Sequence, residues 1–313
     1  MQQINSLHRV LTSPVLNPTI DALLKDRVEL VNWEDATLPI DGIFCYGHGK
    51  VDAELMDRFP GLKVISNHGV GVDHIDLNAA RERGIPVGNT PGVLDGAVAD
   101  VAFALLLAAA RRLAEGDRFA RRPDVVAFAL GERHGRDVHG STLGIVGMGN
   151  IGAQIAKRAH GFDMKILYHN RTPRPLAEET LCARWVSLDE LLAESDFVVL
   201  VVPLSEATRN MISYRELALM KPTATLINIA RGGVVDTNAL TEAMIARRIF
   251  AAALDVTEPE PLPRNHPLLT LDNVTLTPHV GSATVQTRRR MAELSVANLI
   301  AGLKGNPLTC RVV

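Results

Sequence analysis

Short runs of apolar residues alternate with amphipathic stretches along almost the whole chain. From residue 142 onward these runs are rich in β-branched residues and apolar at successive positions, which is typical of parallel strands that helices cover on both faces. They read TLGIVG, KILYH, FVVLVV, TLINIA, AAALDV and NVTLT. Shorter candidate strands lie at residues 9–11, 42–46, 62–66 and 86–87. The alternation predicts right-handed βαβ units, and therefore an α/β fold with doubly wound parallel sheets.

The strands fall into two series, which predicts two domains, one over residues 1–98 and the second over residues 99–283. The longest apolar run, residues 98–110, contains one acid and is followed by Arg111. It predicts a buried helix between the domains, because it is too short to span a bilayer and cations favour a helix C-terminus. A last helix is expected over residues 282–303.

Composition narrows the class of protein. The 313 residues include 33 basic and 35 acidic side chains without a basic stripe, which disfavours nucleic acid as a partner. Cys45, Cys182 and Cys310 are far apart and belong to no Cys/His cluster, so we expect reduced thiols and no metal site. The first residues, MQQINSLHRV, lack the apolar core of a signal peptide, so we expect a cytoplasmic location without membrane association.

A glycine-rich turn follows the first strand of the second series. It reads GMGNIG and matches the pattern GxGxxG between a strand and a helical pattern, the context in which this pattern indicates a dinucleotide site. Gly147 permits the tight turn, Gly149 lets a diphosphate approach the backbone, and Gly152 lets the helix pack close to the strand. The predicted cofactor site also includes Asn150 and Ile151, since the start of the helix offers N–H groups and partial positive charge to the diphosphate.

The end of the next strand indicates which nicotinamide cofactor is used. An NAD site usually has Asp or Glu there, bonded to the ribose 2′-hydroxyl. Asn170 stands in that place, 18 residues past Gly152, and carries no charge to repel a 2′-phosphate. Arg171 adds a guanidinium suited to a phosphate, and Thr172 adds a hydroxyl. We therefore predict that NADP(H) is preferred, and NAD(H) stays possible if Arg171 is only a surface arginine.

Three polar residues follow predicted strands at the edge that faces the ligand in open α/β sheets: Arg231, Glu260 and His279. Reduction of a keto acid needs these residue types. Arginine can hold a carboxylate and polarise a carbonyl. Histidine, with an unperturbed pKa of about 6.5, can give a proton to the alkoxide that hydride transfer creates. A carboxylate beside the other ring nitrogen fixes the tautomer and favours the imidazolium.

The whole chain resembles the D-isomer-specific 2-hydroxyacid dehydrogenase family. The matching stretches are VGVDHIDLNAA, NTPGVL, GMGNIG, INIARGGVVD, ALDVTEPEPLP and TPHVGSAT, which occur in the family's order over both domains. The last two, with NHPLL between them, look most like the glyoxylate/hydroxypyruvate reductase branch. The resemblance implies reduction of small 2-keto acids to D-2-hydroxy acids. It also implies a Rossmann nucleotide domain joined to a flavodoxin-like substrate domain.

The resemblance assigns roles to individual residues. It implies that Arg231 binds and polarises the substrate, that His279 is the acid/base, and that Glu260 is its partner. Other implied contacts are Val70, Gly71 and Ser282 to the substrate, Asp255 to the nicotinamide, and Pro203 and Thr208 on the adenosine side. In the family the C-terminal helix returns to the first domain, so residues 284–313 are expected to join residues 1–98. Members are typically dimers, which gives the polar arm at residues 121–139 a role in a homodimer interface.

Other activities stay open from the sequence. A hydroxyphenylpyruvate or 2-ketogluconate reductase would differ only in pocket side chains. Formate dehydrogenases of the same superfamily have Gln in the place of Glu260, which disfavours that activity here. A nucleotide-sensing binding protein or corepressor has no need for a proton donor, so the presence of Arg231, Glu260 and His279 together disfavours that class.

Overall fold

The computed structural model describes residues 7–13, 15–35, 39–47, 49–125 and 134–313. Contacts divide the chain into two compact units, one made of Met1–Leu94 and Ala283–Val313, the other of Asp95–Ser282. The first boundary falls at 94/95, whereas the sequence pattern placed it at 98/99. The difference arises because the apolar run from residue 98 is the interior of a helix that already begins at Asp95.

The described residues form parallel strands separated by helices. The strands are β1 (His8–Thr12), β2 (Val28–Asn32), β3 (Gly42–Cys45), β4 (Val64–Asn67), β5 (Val87–Gly88), β6 (Thr142–Val146), β7 (Lys165–His169), β8 (Ala183–Trp185), β9 (Phe197–Leu200), β10 (Thr225–Asn228), β11 (Ala251–Leu254) and β12 (Val274–Leu276). The helices are α1 (Pro18–Leu24), α2 (Ala53–Asp57), α3 (Leu77–Glu82), α4 (Asp95–Ala110), α5 (Leu113–Ala120), α6 (Asn150–His160), α7 (Pro175–Leu181), α8 (Leu188–Glu194), α9 (Tyr214–Leu219), α10 (Thr237–Ile245) and α11 (Val285–Leu303). Single 3₁₀ turns lie at Trp33–Asp35, Gly232–Val234 and Pro267–Leu269.

The sheet of the first unit has the strand order β2-β1-β3-β4-β5, and its pairings are parallel. This is the flavodoxin-like order that the resemblance implies. One face is covered by α1 and α11, which bury Phe44, Val64 and Leu299, and the other by α2 and α3. The sequence did not predict the edge strand β2, because exposed Glu29 and Leu30 interrupt its apolar pattern.

The sheet of the second unit has the order β12-β11-β10-β9-β6-β7-β8 and is also parallel. The chain order reverses at β6, with β7 on one side and β9 on the other, which is the switch point where ligands bind in Rossmann folds. The two parallel sheets confirm the predicted fold class. Strand β8 was not predicted, because it has three residues and two of them are exposed.

The register of this sheet aligns the ends of its central strands. Val146 lies opposite Leu200, Leu200 opposite Asn228, and Asn228 opposite Leu254, which in turn faces Leu276. The segments that leave β6, β9, β10, β11 and β12 therefore start along one edge. Every predicted catalytic residue lies in one of these segments, within six positions of a strand end.

Helices α4 and α11 account for the two long helical predictions. Helix α4 belongs wholly to the second unit, where it packs against α6, β10 and β11. No helix among the described residues has the length and apolar character needed to cross a membrane. Helix α11 begins later than residue 282, because the side-chain oxygen of Thr284 caps it by accepting from the Thr287 N–H.

Candidate active site

The glycine turn after β6 has the geometry that its pattern predicts. Gly147 has φ +109°, and a Cβ there would lie 2.8 Å from the Val201 carbonyl oxygen. A Cβ at Gly152 would lie 2.3 Å from the Gly147 carbonyl oxygen, so α6 can start this close to the turn only with glycine. The first and third glycines of the motif are thus required by the protein's own packing.

The second glycine is free of that constraint. Gly149 is the N-cap of α6, it has φ -92°, and a Cβ at this residue would meet nothing within 4 Å. The helix start has no side-chain cap, and the first N–H groups of any helix lack partners within it. Open space at Gly149 beside N–H donors at a helix start fits a diphosphate. Asn150 and Ile151 lie in this first turn and would supply donors.

The three predicted specificity residues at the end of β7 differ in their surroundings, because one of them bonds to the protein's own main chain and two are exposed. The Oδ1 of Asn170 accepts from the Met148 N–H at 2.7 Å, and its Nδ2 donates to the Met148 carbonyl oxygen at 3.3 Å. Arg171 and Thr172 are exposed. Within the described part of the chain, the Arg171 guanidinium has no hydrogen-bond or ion-pair partner. Asn170 therefore holds the glycine turn, while Arg171 and Thr172 are accessible to a ligand.

The segment after β9 is folded by Thr208. Its hydroxyl donates to the Pro203 carbonyl oxygen at 2.7 Å and accepts from the Ser205 N–H at 2.8 Å. Val201, at the start of this segment, donates its N–H to the Val146 carbonyl oxygen. The predicted adenosine-side residues Pro203 and Thr208 thus lie in one compact loop, next to the strand that carries the glycine turn.

Arg231 follows β10, and a buried asparagine determines the path of its backbone. Asn228, the last residue of β10, is 1% exposed; its Oδ1 accepts from the Ala230 N–H and its Nδ2 donates to the Arg231 carbonyl oxygen. A Cβ at Gly232 would lie 2.0 Å from the Thr257 carbonyl, so the segment of Arg231 packs directly on the segment after β11. Arg231 itself is half-buried.

Glu260 and His279 come together, although they belong to segments that follow different strands. His279 Nδ1 lies 2.7 Å from Glu260 Oε1. Both side chains are about one-third exposed, at 32% and 37%. A carboxylate against Nδ1 keeps the proton on that nitrogen when the ring is neutral and leaves Nε2 to exchange protons with a ligand. The pair has the arrangement expected of an oriented general acid.

Asp255 fixes the backbone that carries His279. Its Oδ1 accepts from the Thr277 hydroxyl at 2.6 Å and the Val280 N–H at 2.8 Å, and its Oδ2 accepts from the Gly281 N–H at 2.8 Å. The main-chain N–H of His279 donates to the Asp255 carbonyl oxygen, and His279 has φ +54°. These bonds hold a left-handed conformation that is uncommon for residues other than glycine. Asp255 is 2% exposed, so most of its capacity to accept is used within the protein.

Val70 and Gly71 lie in the first unit, in the loop after β4. The carbonyl oxygens of this loop are bonded by asparagine side chains: Asn67 Nδ2 donates to Gly69 and Gly71, and Asn89 Nδ2 donates to Val70. In the described ranges neither the Val70 N–H nor the Gly71 N–H donates to another group, so the loop has donors that suit an anion.

Sequence reasoning missed the asparagines that shape these loops, Asn67, Asn89 and Asn228. Each could have been noticed as a polar residue that ends, or closely follows, an apolar strand. Ser282, predicted near the substrate, is half-buried and is the last residue of the second unit. In the described ranges, no three His, Cys, Asp or Glu side chains are grouped so that they could hold a metal ion. Part of the predicted arm, residues 126–133, lies outside the described residues.

Comparisons with known proteins identify the family. A family model described as "D-isomer specific 2-hydroxyacid dehydrogenase, NAD binding domain" matches residues 103–281. A glyoxylate reductase of Thermococcus onnurineus is 47% identical over 298 residues, which covers 90% of this chain and 89% of the relative.

Two solved structures are also similar over nearly their whole length. A protein of Thermus thermophilus has a TM-score of 0.87 and 46% identity, covering 97% of this chain and 100% of its own. An NADPH-dependent glyoxylate/hydroxypyruvate reductase of Sinorhizobium meliloti, crystallised with NADP and malonate, has a TM-score of 0.89 and 36% identity. That match covers 98% of this chain and 97% of the reductase.

Proposed function

Because the chain belongs to the D-isomer specific 2-hydroxyacid dehydrogenase family and is an NAD(P)-dependent oxidoreductase, we propose that it reduces small 2-keto acids with NADPH as the preferred cofactor. The proposed substrates are glyoxylate, which would give glycolate, and hydroxypyruvate, which would give D-glycerate. The glyoxylate reductase relative and the NADPH-dependent reductase of known structure support this choice.

The observation that carries the proposal is the 2.7 Å contact between His279 Nδ1 and Glu260 Oε1. When bound, the nicotinamide supplies a hydride to the carbonyl carbon of the acid. His279 gives the proton that the resulting alkoxide needs, from Nε2, while Glu260 holds Nδ1 and stabilises the imidazolium before the transfer. The left-handed backbone set by Asp255 aims the ring.

The substrate carboxylate needs donors, and two sets are proposed to supply them. Arg231 binds the carboxylate and polarises the adjacent carbonyl, since its planar fork can serve both groups. The N–H groups of Val70 and Gly71 are proposed to receive the carboxylate, because neither donates to another group in the described part of the chain. Ser282 is proposed as a further substrate contact.

The cofactor is proposed to bind along the C-terminal edge of the second sheet. The diphosphate would be held at the start of α6 by the residues of the glycine turn, which are Gly147, Gly149, Asn150, Ile151 and Gly152. Arg171 and Thr172 would bind the 2′-phosphate, because both are exposed and the Arg171 guanidinium has no partner among the described residues. Pro203 and Thr208 would line the adenosine side, and Asp255 would face the nicotinamide carboxamide through the remaining capacity of its Oδ2.

We further propose that the protein is a cytoplasmic homodimer, as is typical of the family. Helix α5, whose Leu113 is 56% exposed, and the arm that follows it would lie in the interface. Light scattering of the purified protein tests the assembly directly, and a monomer at micromolar concentration would exclude the dimer.

The first experiment is steady-state oxidation of NADPH and of NADH with glyoxylate and with hydroxypyruvate, followed at the nicotinamide absorbance. Fast turnover that favours NADPH is expected. Turnover with NADH alone would keep the catalytic assignment and remove the role of Arg171. Hydroxyphenylpyruvate and 2-ketogluconate serve as comparison substrates. A kcat/KM for either that exceeds the value for glyoxylate by about tenfold, or about 1.4 kcal/mol of transition-state stabilisation, would replace the proposed substrate class.

A further inference from the structure

Asn170 occupies the position where NAD-binding Rossmann folds usually have an acid, and its side chain does something that an acid cannot do. The amide forms two hydrogen bonds to the main chain of a single residue, Met148. Oδ1 accepts from the N–H at 2.7 Å, and Nδ2 donates to the carbonyl oxygen at 3.3 Å. An amide can pair with a peptide group in this way because it carries an acceptor and a donor side by side.

Because Met148 lies in the glycine turn, its pairing with Asn170 holds that turn. Met148 stands between Gly147 and Gly149, immediately before the N-cap of α6, and its side chain is 2% exposed. The N-cap has no side chain of its own to hold the helix start. A main-chain bond from the Gly147 N–H to the His169 carbonyl oxygen, at 3.0 Å, also connects the turn to β7. Asn170 is thus the side chain that fixes the turn from the neighbouring strand.

Asn170 is itself held in place. Its carbonyl oxygen accepts from Trp185 Nε1 at 3.0 Å, and its side chain is half-buried. A carboxylate in the same rotamer would keep the bond from the Met148 N–H. Its second oxygen, however, would lie against the Met148 carbonyl oxygen, and two acceptors at hydrogen-bond distance repel each other. The carboxylate would have to turn to relieve this repulsion, so the bond to the Met148 carbonyl oxygen would be lost and the bond from the Met148 N–H would be weakened.

We propose that Asn170 is a positioning residue that fixes the diphosphate-binding turn for either nicotinamide cofactor and does not select between the two. Selection then rests on Arg171 and Thr172, the exposed residues that follow. The inference depends on the proposed use of residues 147–152 for the cofactor diphosphate. It implies that Asn170→Asp does not create an NAD site, although it restores the residue type that such sites have.

Calorimetric titration of Asn170→Ala and Asn170→Asp with NADPH and with NADH tests the proposal without turnover. Asn170→Ala loses both hydrogen bonds, and Asn170→Asp loses the bond to the Met148 carbonyl oxygen and gains a repulsion between two acceptors. The Kd for both cofactors is therefore expected to rise about tenfold or more in each variant. Hydrogen exchange at the Met148 amide should be faster in Asn170→Ala without any cofactor. Asn238→Asp, which adds the same charge at an exposed helix position, should change neither measurement.

Binding of NADH to Asn170→Asp as tightly as to the unchanged protein, or more tightly, would overturn the proposal. So would unchanged exchange at Met148 in Asn170→Ala. The cofactor preference is judged separately, on the unchanged protein. If that protein binds NADH more tightly than NADPH, the proposed preference is wrong, whereas the role of Asn170 is still decided by the variants.

Discussion

His279 Nδ1 and Glu260 Oε1 are 2.7 Å apart, and they belong to segments that leave two neighbouring strands, β12 and β11. Replacing His279 with alanine should lower kcat by about 10²–10⁴, because a positioned general acid contributes that much to a proton transfer. The Kd for NADPH should stay nearly unchanged. Rapid-quench turnover together with calorimetric binding checks both expectations. Collapse of NADPH affinity with turnover preserved would refute the assignment of His279 as the acid.

Glu260→Gln should lower kcat by a smaller factor, about 10–100. Glutamine can still accept from Nδ1, but it lacks the charge that stabilises the imidazolium, and a hydrogen bond to a charged group is worth about 1.5–3 kcal/mol. Glu258→Gln is a matched control, since Glu258 lies in the same segment and its carboxylate contacts Arg209 instead. Equal kcat values for the two glutamine variants would remove Glu260 from the mechanism.

Arg171→Ala should raise the Kd for NADPH by about 10–100-fold and the Kd for NADH much less. Only NADPH has the 2′-phosphate that a free guanidinium can bind. Fluorescence titration with each cofactor measures the two Kd values. Arg184→Ala is the control, since that arginine lies on the adjacent strand but is paired with Glu190 and Glu194. Equal losses for both cofactors in Arg171→Ala would rule out a 2′-phosphate contact.

Two glycines of the same turn should respond to alanine in different ways. Gly149→Ala should keep the melting temperature, because the added Cβ meets nothing within 4 Å and the residue has φ -92°. The same Cβ should weaken the binding of both cofactors, because it occupies the space proposed for the diphosphate. Gly152→Ala should lower the melting temperature, because its Cβ would lie 2.3 Å from the Gly147 carbonyl oxygen. Thermal unfolding with and without NADPH distinguishes the two. Unchanged cofactor affinity in Gly149→Ala would mean that the diphosphate does not bind next to Gly149.

The sequence predicted the sheets, and it marked candidate site residues, for a simple physical reason. Parallel strands buried on both faces must be apolar throughout, so a polar residue just past such a strand stands out, as Arg231 and His279 do. It did not reveal β2 and β8, because edge strands are partly exposed and lose that contrast. The role of Asn170 was also out of reach, because the direction of an amide depends on a backbone 22 residues away in the chain.

His68, directly after β4, makes the first unit sensitive to acid. Burial, with a smaller contribution from the positive charge of Arg288, lowers the pKa of His68 from 6.5 to about 4. Its ring packs near Phe44 and Tyr46, and its Nδ1 lies 3.1 Å from the Ser295 hydroxyl. Between pH 6.5 and about 4 the unfolded chain binds a proton that the folded chain does not. The free energy of unfolding therefore falls as the pH falls through this window.

His68→Phe removes the imidazole that binds this proton and keeps an aromatic ring beside Phe44 and Tyr46. Ser295 keeps a partner, because its hydroxyl also donates to the Met291 carbonyl oxygen. Between pH 7 and pH 4.5 the variant should lose less free energy of unfolding than the unchanged protein, by roughly 2 kcal/mol, since one pKa unit corresponds to about 1.4 kcal/mol. Urea titrations at both pH values measure the difference. His139→Gln, at an exposed histidine, should leave the acid sensitivity as it is. Equal acid sensitivity of His68→Phe and the unchanged protein would mean that His68 is protonated in the fold.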